Sequence, residues 1–311
     1  MACIRCGNPT CIPPLPPGAY DCIWSPSWTW TCKIPKNGCA PAAGPIETCP
    51  RCPSAGSPIS LATGNTWIEE ADVRIPGLSG GLTLVRTWNS IWPSTQASSQ
   101  VGLFGPNWRS NFEERVFLGS DNYMKYARAD GSFWSFGYTG STSNGGTFGV
   151  AAPANVTAAL VQGSTYWTLT FQNGERRLFD NNSGNLISVV DRNGNTTQLS
   201  YDATSRLTAV TDAASRHLYF GYASSTSRLV TSITSDVGIS LSYSYDSQGR
   251  LIQVTKPDQT TISFQYNSQS LITAVLDING KVLESHTYDS NGRGLTSSRA
   301  NGVEAVTISY H

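Results

Sequence analysis

Apolar and polar residues alternate along most of this chain, which is the period of a β-strand with one buried face. The alternation is clear in Leu82 to Trp88, and similar runs occupy Phe112 to Leu118 and Tyr123 to Tyr126. Asp130-Gly131 and Asn173-Gly174 lie between such runs and are typical of tight hairpin turns. No window keeps an apolar period of 3.6 residues over three turns. We therefore predict an all-β chain without a long helix.

Large aromatic residues recur at a fixed spacing in the second half of the chain. They stand 21 to 23 residues apart, at Phe179, Tyr201, Tyr222, Tyr245, Tyr266, Tyr288 and Tyr310. Self-similarity at a period of this size indicates stacked repeats. Most units continue with a turn cluster, Arg-Leu, a short strand and a second turn, so each unit is interpreted as one β-hairpin. A lone hairpin cannot bury its apolar face, so neighbouring units must stack, with the seven aromatic residues in a common repeat core.

The repeated motif is complete at Tyr245 to Leu251, which reads Tyr-Asp-x-x-Gly-Arg-Leu. It resembles the RHS or YD-repeat family, in which consecutive hairpins form one long spiralling β-sheet, and the resemblance covers Phe179 to Tyr310. Upstream, Gly56 to Asn65, Leu84 to Ser90 and Gly105 to Arg109 are similar to the segment that leads into the repeats in bacterial members. The resemblance implies either a hollow shell around a C-terminal toxin or adhesion outside cells.

The aspartate of the motif is not kept in every unit. One unit begins Tyr222-Ala223 and another Tyr266-Asn267. We therefore interpret Tyr-Asp as a packing and turn signature without a chemical role.

The composition limits the partners that the sequence favours. Charged residues make up 14% of the 311 positions, against roughly 25% in an average soluble domain. The 21 basic and 21 acidic residues cancel, which predicts no nucleic-acid partner because a phosphate-binding face needs a basic excess. Zero net charge also favours association, so a homo-oligomer or polymer is expected. No apolar run reaches the about 18 to 20 residues that span a bilayer.

All cysteines lie in the first 52 residues, within a proline-rich stretch. They are Cys3, Cys6, Cys11, Cys22, Cys32, Cys39, Cys49 and Cys52. An even number in a segment with few aliphatic residues predicts a disulfide framework, which implies an extracellular or cell-surface location. The Cys3/Cys6 and Cys49/Cys52 pairs also have the spacing of zinc knuckles or redox motifs, but the four cysteines and clustered prolines between them favour disulfides over a metal site. No signal peptide is visible.

Aromatic residues in the same stretch are candidates for glycan stacking. Trp24, Trp28 and Trp30 occupy a segment too short to bury all three, with packing as the alternative role. Catalytic chemistry finds little support, because His217, His286 and His311 belong to no nucleophile motif. The periodic aspartates fit Asx turns better than general acids or calcium ligands. The sequence predicts no enzyme, no cofactor and no metal.

Three segments follow from these patterns: a Cys/Pro-rich, disulfide-bonded irregular arm (1–56), an all-β lead-in module (57–178) and a YD-repeat β-sheet (179–311). Only one residue follows Tyr310, and about six repeats are too few to close a cavity. We therefore expect a non-enzymatic extracellular structural protein that self-assembles into a filament or sheath, its last strand pairing with another chain. The alternatives are a short relative or fragment of a toxin-encapsulating RHS shell, and a cell-surface adhesin or glycan-binding module.

Overall fold

The computed structural model describes residues 20–25, 29–33, 54–91 and 102–310. Within these residues the chain consists of strands and turns, with two single-turn 3-10 helices at Leu78–Gly80 and Ala300–Gly302. The prediction of an all-β fold made of consecutive hairpins is confirmed. None of the described helices is long and apolar enough to cross a membrane.

Seven short strands precede the main sheet and form three small sheets. They are β1 (Tyr20–Ser25) with β2 (Thr29–Lys33), β3 (Ser54–Ala55) with β4 (Ile59–Ser60), and β5 (Trp67–Ile75) with β6 (Leu82–Asn89) and β7 (Trp108–Ser110). The backbone register places Cys22 opposite Cys32, and Trp24 opposite Trp30. The side chains of these four residues, the other six cysteines and Trp28 lie outside the described residues. The disulfides and the glycan role therefore stay predictions.

The main sheet is a single antiparallel ladder in which each strand pairs with the next one along the chain. Its strands are β8 (Arg115–Leu118), β9 (Met124–Ala127), β10 (Phe133–Thr142), β11 (Gly145–Ala152), β12 (Ala158–Gln162), β13 (Tyr166–Phe171), β14 (Arg176–Asp180), β15 (Leu186–Val190), β16 (Thr196–Tyr201), β17 (Leu207–Thr211), β18 (His217–Tyr222), β19 (Val230–Ser235), β20 (Ser240–Tyr245), β21 (Leu251–Thr255), β22 (Thr261–Tyr266), β23 (Ile272–Leu276), β24 (Val282–Tyr288), β25 (Gly294–Arg299) and β26 (Val303–Thr307). Strand β14 crosses the boundary between segments 57–178 and 179–311, and it pairs with β13 of the first of these segments. That division stays a prediction about sequence segments.

The sheet curls until its first strand, β8, meets the turn between β14 and β15. The Val116 amide donates to the Gly184 carbonyl (2.9 Å), and the Leu186 amide donates to the Glu114 carbonyl (3.1 Å). Arg115 and Asn185 form the bridge between these two bonds. Sheets twist with a fixed hand, so a ladder of this length must either splay or close on itself. Here β8 closes against the β14–β15 turn.

The inner face of the curled sheet is filled by the β5–β7 sheet and the loop before β7. Aromatic rings meet across this boundary, with centroids 4.9 Å apart for Phe104–Tyr243 and 5.2 Å apart for Trp108–Phe264. Trp88 is fully buried in the same cluster. The alternation of apolar residues in both sheets therefore has one cause, because their apolar faces pack against each other.

Candidate functional site

Each repeat is tied to the one before it by its tyrosine. The hydroxyl group donates to a backbone carbonyl 15 or 16 residues earlier, at distances of 2.6 to 2.8 Å. The pairs are Tyr201–Leu186, Tyr222–Leu207, Tyr245–Val230, Tyr266–Leu251, Tyr288–Ile272 and Tyr310–Gly294. Burial raises the pKa of Tyr245 above its ordinary value, so the hydroxyl keeps the proton that it donates. Phe179 opens the series without a hydroxyl and is fully buried.

The aspartate and the arginine of the motif build the turn that follows the tyrosine. Asp246 Oδ1 accepts the Gln248 and Arg250 amides, and its Oδ2 accepts Arg250 Nε at 2.6 Å. The Arg250 guanidinium carbon lies 5.0 Å from the ring centroid of Tyr266, the next tyrosine. The motif thus combines an Asx turn, an ion pair and a cation–π contact, which together fix one hairpin on the next.

The two units that lack the aspartate solve the same turn differently. Asn267 Oδ1 accepts the Gln269 and Leu271 amides, which is the role that Asp246 has in its own unit. After Tyr222 the turn is longer, and Ser224 Oγ accepts the Ser227 amide. An oxygen acceptor at this position is therefore what the turn needs, and a carboxylate is one of several groups that supply it.

A buried ion pair joins the lead-in strands to the repeat sheet. Arg86 Nη2 donates to Asp72 Oδ1 at 2.8 Å, Arg86 Nε donates to Asp72 Oδ2, and the Tyr243 hydroxyl donates to Asp72 Oδ2 at 2.8 Å. The side chains of Arg86 and Asp72 are each 1% exposed. The Arg86 guanidinium carbon lies 4.6 Å from the Trp108 ring centroid. Burial acts to lower the pKa of Arg86, but the charge and hydrogen bond of Asp72, together with the nearby Tyr243 and Glu70, outweigh burial and raise the pKa above its ordinary value.

One feature of the sequence points to the buried Asp72–Arg86 pair. Leu82, Leu84, Arg86 and Trp88 alternate along β6, and all four are buried. A charged residue on the apolar face of a strand requires a buried partner. The sequence could have indicated that Arg86 has such a partner, but not that the partner is Asp72.

A second polar network lies inside the first turn of the curl. The Tyr126 hydroxyl donates to Glu114 Oε2 at 2.8 Å, and Arg177 Nη1 donates to the same carboxylate oxygen. Burial and the negative charge of Glu114 raise the pKa of Tyr126 well above its ordinary value. The network links Glu114, the residue before β8, with β9 and β14, so it stabilises the closure of the sheet from inside.

A cleft of about 490 Å³ opens beside this network, where the loop before β8 meets the turns of the first repeats. We call it the arginine cleft, because Arg109, Arg115, Arg206 and Arg228 line it together with Glu113 and Glu114. Phe112, Leu103 and Leu207 supply its apolar wall. The sequence marks Arg206 and Arg228 as parts of the repeated Arg-Leu pairs and Arg109 as the end of a lead-in motif, but it does not indicate that these residues line one cleft.

The described histidines lie in two separate pairs. His217 Nδ1 is 2.9 Å from Asp236 Oδ2 near the surface, and His286 Nε2 is 2.7 Å from Glu284 Oε1 in a buried position. No group of three or more metal-ligating side chains occurs in the part of the chain that the structure describes.

Two sequence families match this chain. The family described as RHS Repeat matches residues 181–217, 227–261 and 245–282. The family described as Domain of unknown function (DUF6531) matches residues 56–136. The first match includes Tyr201, Tyr245 and Tyr266 of the tyrosine series, and the second covers the strands that fill and close the curl.

Among curated proteins, the chain is similar to nucleases of Bacillus. It is 29% identical over 265 residues to the tRNA nuclease WapA of Bacillus subtilis (strain 168), and 32% identical over 265 residues to the tRNA3(Ser)-specific nuclease WapA of Bacillus spizizenii. In both cases the match covers 78% of this chain and 11% of the relative. Among solved structures, a crystal structure of TcdB2-TccC3-Cdc42 matches with a TM-score of 0.32 and 10% identity, over 77% of this chain and 15% of that chain.

These relatives correct three predictions. The relatives are named tRNA nucleases, which contradicts the prediction that the protein is not an enzyme. The same names contradict the predictions of a filament or sheath subunit and of a protein without a nucleic-acid partner. The charge argument was wrong because a segment that corresponds to 11% of such a protein does not set the charge or the ligand of the whole.

Proposed function

This chain belongs to the RHS/YD-repeat family, and we propose that it forms part of the wall of a toxin-encapsulating shell in a tRNA-cleaving protein. The single observation that carries the proposal is the curled, continuous sheet with the lead-in strands against its inner face. Each repeat adds one hairpin and one tyrosine-to-carbonyl bond, so a wall of this kind grows without a change in its local chemistry. Support for the nuclease comes from the curated relatives that share this segment.

The lead-in strands β5–β7 would fill one end of such a shell. Their aromatic side chains occupy the inner face of the repeat sheet, and the buried Asp72–Arg86 pair reaches Tyr243 across the boundary. We also propose that the protein is secreted or exposed on the cell surface. The division of the chain into three segments and the disulfide-bonded arm at 1–56 belong to the same proposal. Mass spectrometry with and without reduction tests the arm separately.

The test uses the native protein that carries this segment, isolated with an antibody to the exposed turn at 191–195. We expect particles that enclose a cavity by electron microscopy, and tRNA cleavage that increases after the shell is opened with mild denaturant. Ribosomal RNA serves as the control substrate. A native protein that encloses no cavity contradicts the shell, and a protein that leaves tRNA intact under both conditions contradicts the nuclease.

A further inference from the structure

The hairpin of β24 and β25 departs from the repeats before it at its two innermost positions. In the four preceding units, the residue opposite the repeat tyrosine and the residue three positions later are aliphatic and buried: Leu207 and Val210, Val230 and Ile233, Leu251 and Val254, Ile272 and Val275. In this hairpin the same two positions hold Gly294, opposite Tyr288, and Ser297, opposite His286. Both residues are buried. This unit therefore has a small and polar inner face where the four preceding units have an apolar one.

The facing strand departs in the same way. Glu284 and His286 of β24 occupy the positions that Ile262 and Phe264 have in the preceding unit. The His286 ring is fully buried, and its Nε2 lies 2.7 Å from Glu284 Oε1. Polar side chains of this kind do not supply the apolar contacts on which a repeat core depends. The inner face of this hairpin is therefore suited to a polar partner.

Ser297 binds the backbone of the segment that precedes β5. The Ser57 amide donates to Ser297 Oγ at 2.8 Å, and the Ser297 hydroxyl donates to the Ser57 carbonyl oxygen at 3.2 Å. Arg299 Nε donates to the Ser57 hydroxyl at 2.6 Å. Ser57 is 1% exposed, so its backbone groups cannot turn to water instead. A valine at position 297 has neither a donor nor an acceptor in its side chain and would leave both groups without this partner.

Gly294 makes room for the same segment. A Cβ atom at this position would stand 2.9 Å from Ile59 Cδ1 and still closer to Thr66 Oγ1. The Gly294 amide donates to the Gly64 carbonyl oxygen at 2.8 Å. The backbone of Gly294 lies outside the left-handed region. The close approach of the segment therefore accounts for the missing side chain, and the backbone conformation does not.

We propose that the β24–β25 hairpin is a docking unit that selects the segment 56–66 through Gly294 and Ser297. The partner that fits this unit is an extended peptide of small residues, because one serine hydroxyl binds its N–H and C=O groups and a position without a side chain admits its backbone. The four apolar units offer neither feature at these positions. The docking unit therefore determines which repeat holds the start of the lead-in strands. This inference does not depend on the shell or on the nuclease.

Hydrogen exchange on the 311-residue chain tests the docking unit with Ser297→Val, which places an aliphatic residue at this position as in the other units. We expect the Ser57 and Gly294 amides to exchange at least about tenfold faster, which is the loss of protection expected for one hydrogen bond. The amides of β20 and β21 should keep their protection, because these strands belong to an apolar unit. Gly294→Ala keeps the Ser297 hydroxyl and adds only a Cβ atom, and it should accelerate exchange of the same two amides.

Ser298→Val is the matched control. Ser298 is the next residue of β25, on the opposite face of the sheet, and its hydroxyl lies 2.8 Å from Ser285 Oγ. The control removes one hydroxyl from the same strand without touching the segment 56–66. We expect the Ser57 amide of this variant to exchange within about twofold of the parent rate.

Each of three results would overturn the docking unit. An unchanged Ser57 exchange rate in Ser297→Val would show that the hydroxyl does not hold the segment. Equal acceleration by Ser297→Val and Ser298→Val, or acceleration that extends to β20 and β21, would indicate general loosening of the sheet. Unchanged exchange of both amides in Gly294→Ala would show that the segment does not need a position without a side chain.

Discussion

Replacing Gly184 by alanine tests whether the curl is closed by direct backbone contact. Gly184 lies in the β14–β15 turn with φ of 71°, and its carbonyl accepts the Val116 amide. A Cβ atom at this position would stand 2.0 Å from the Val116 carbonyl oxygen. The obstacle is backbone, so no side-chain rotation can relieve the overlap, and β8 must move away from the turn.

The matched control is Gly194→Ala. Gly194 also has a positive φ, 87°, but a Cβ atom there would meet nothing within 4 Å. The left-handed conformation costs an L-residue roughly 1 to 2 kcal/mol, and this cost is common to both variants. Overlap in a packed region adds typically about 1 to 3 kcal/mol, and each weakened closing hydrogen bond adds about 0.5 to 1.5 kcal/mol. Gly184→Ala should therefore lower the free energy of unfolding by roughly 2 to 4 kcal/mol more than Gly194→Ala does.

Urea unfolding of the two variants and the parent chain measures this difference from the midpoints at constant slope. Hydrogen exchange adds a local measurement, because the Val116 and Leu186 amides should lose protection in Gly184→Ala alone. If the two variants agree within about 0.5 kcal/mol and both amides stay protected, the closure is not a direct contact and the reasoning is refuted.

The remaining predictions concern the buried pair, the tyrosine series and the turn aspartates. Arg86→Met should destabilise the chain by about 3 to 5 kcal/mol because it leaves the Asp72 carboxylate buried without its cation, and adding Asp72→Asn should recover part of the loss in a double-mutant cycle; additive effects would contradict the pairing. Tyr245→Phe should cost about 0.5 to 1.5 kcal/mol by urea unfolding, whereas Tyr219→Phe, at a side chain that is 45% exposed, should cost almost nothing. Burial raises the pKa of Asp246, but the hydrogen bonds from Arg250 outweigh it and the pKa lies below its ordinary value. The unfolded chain then binds more protons, so this contribution is present above about pH 4 and is lost as the pH falls through the folded pKa. Asp246→Asn should flatten the dependence of the urea midpoint on pH in that window, and an unchanged slope would exclude the aspartate as its source.

The sequence by itself determined the repeat and its hairpins. The repeat consists of a period-two alternation, a Tyr-Asp start and an Asx or Gly turn, all of which involve residues a few positions apart. Backbone sterics and turn chemistry determine such short-range features locally. The substitution of Asn267 for the repeat aspartate fits the same rule, because an amide oxygen accepts the same two amides. The family resemblance rested on these local features, which is why it was readable without a structure.

Only the tertiary structure decided what the curl encloses and which side chains meet inside it. Tyr243 and Asp72 are 171 positions apart, and their contact depends on the curvature accumulated over many strands. The arginine cleft has the same origin, since Arg109 and Arg228 line one cleft at the place where β8 closes against the β14–β15 turn. Local sequence patterns do not contain information on that accumulated twist. The alternation therefore assigns Arg86 to a buried face of β6 but does not identify its partner.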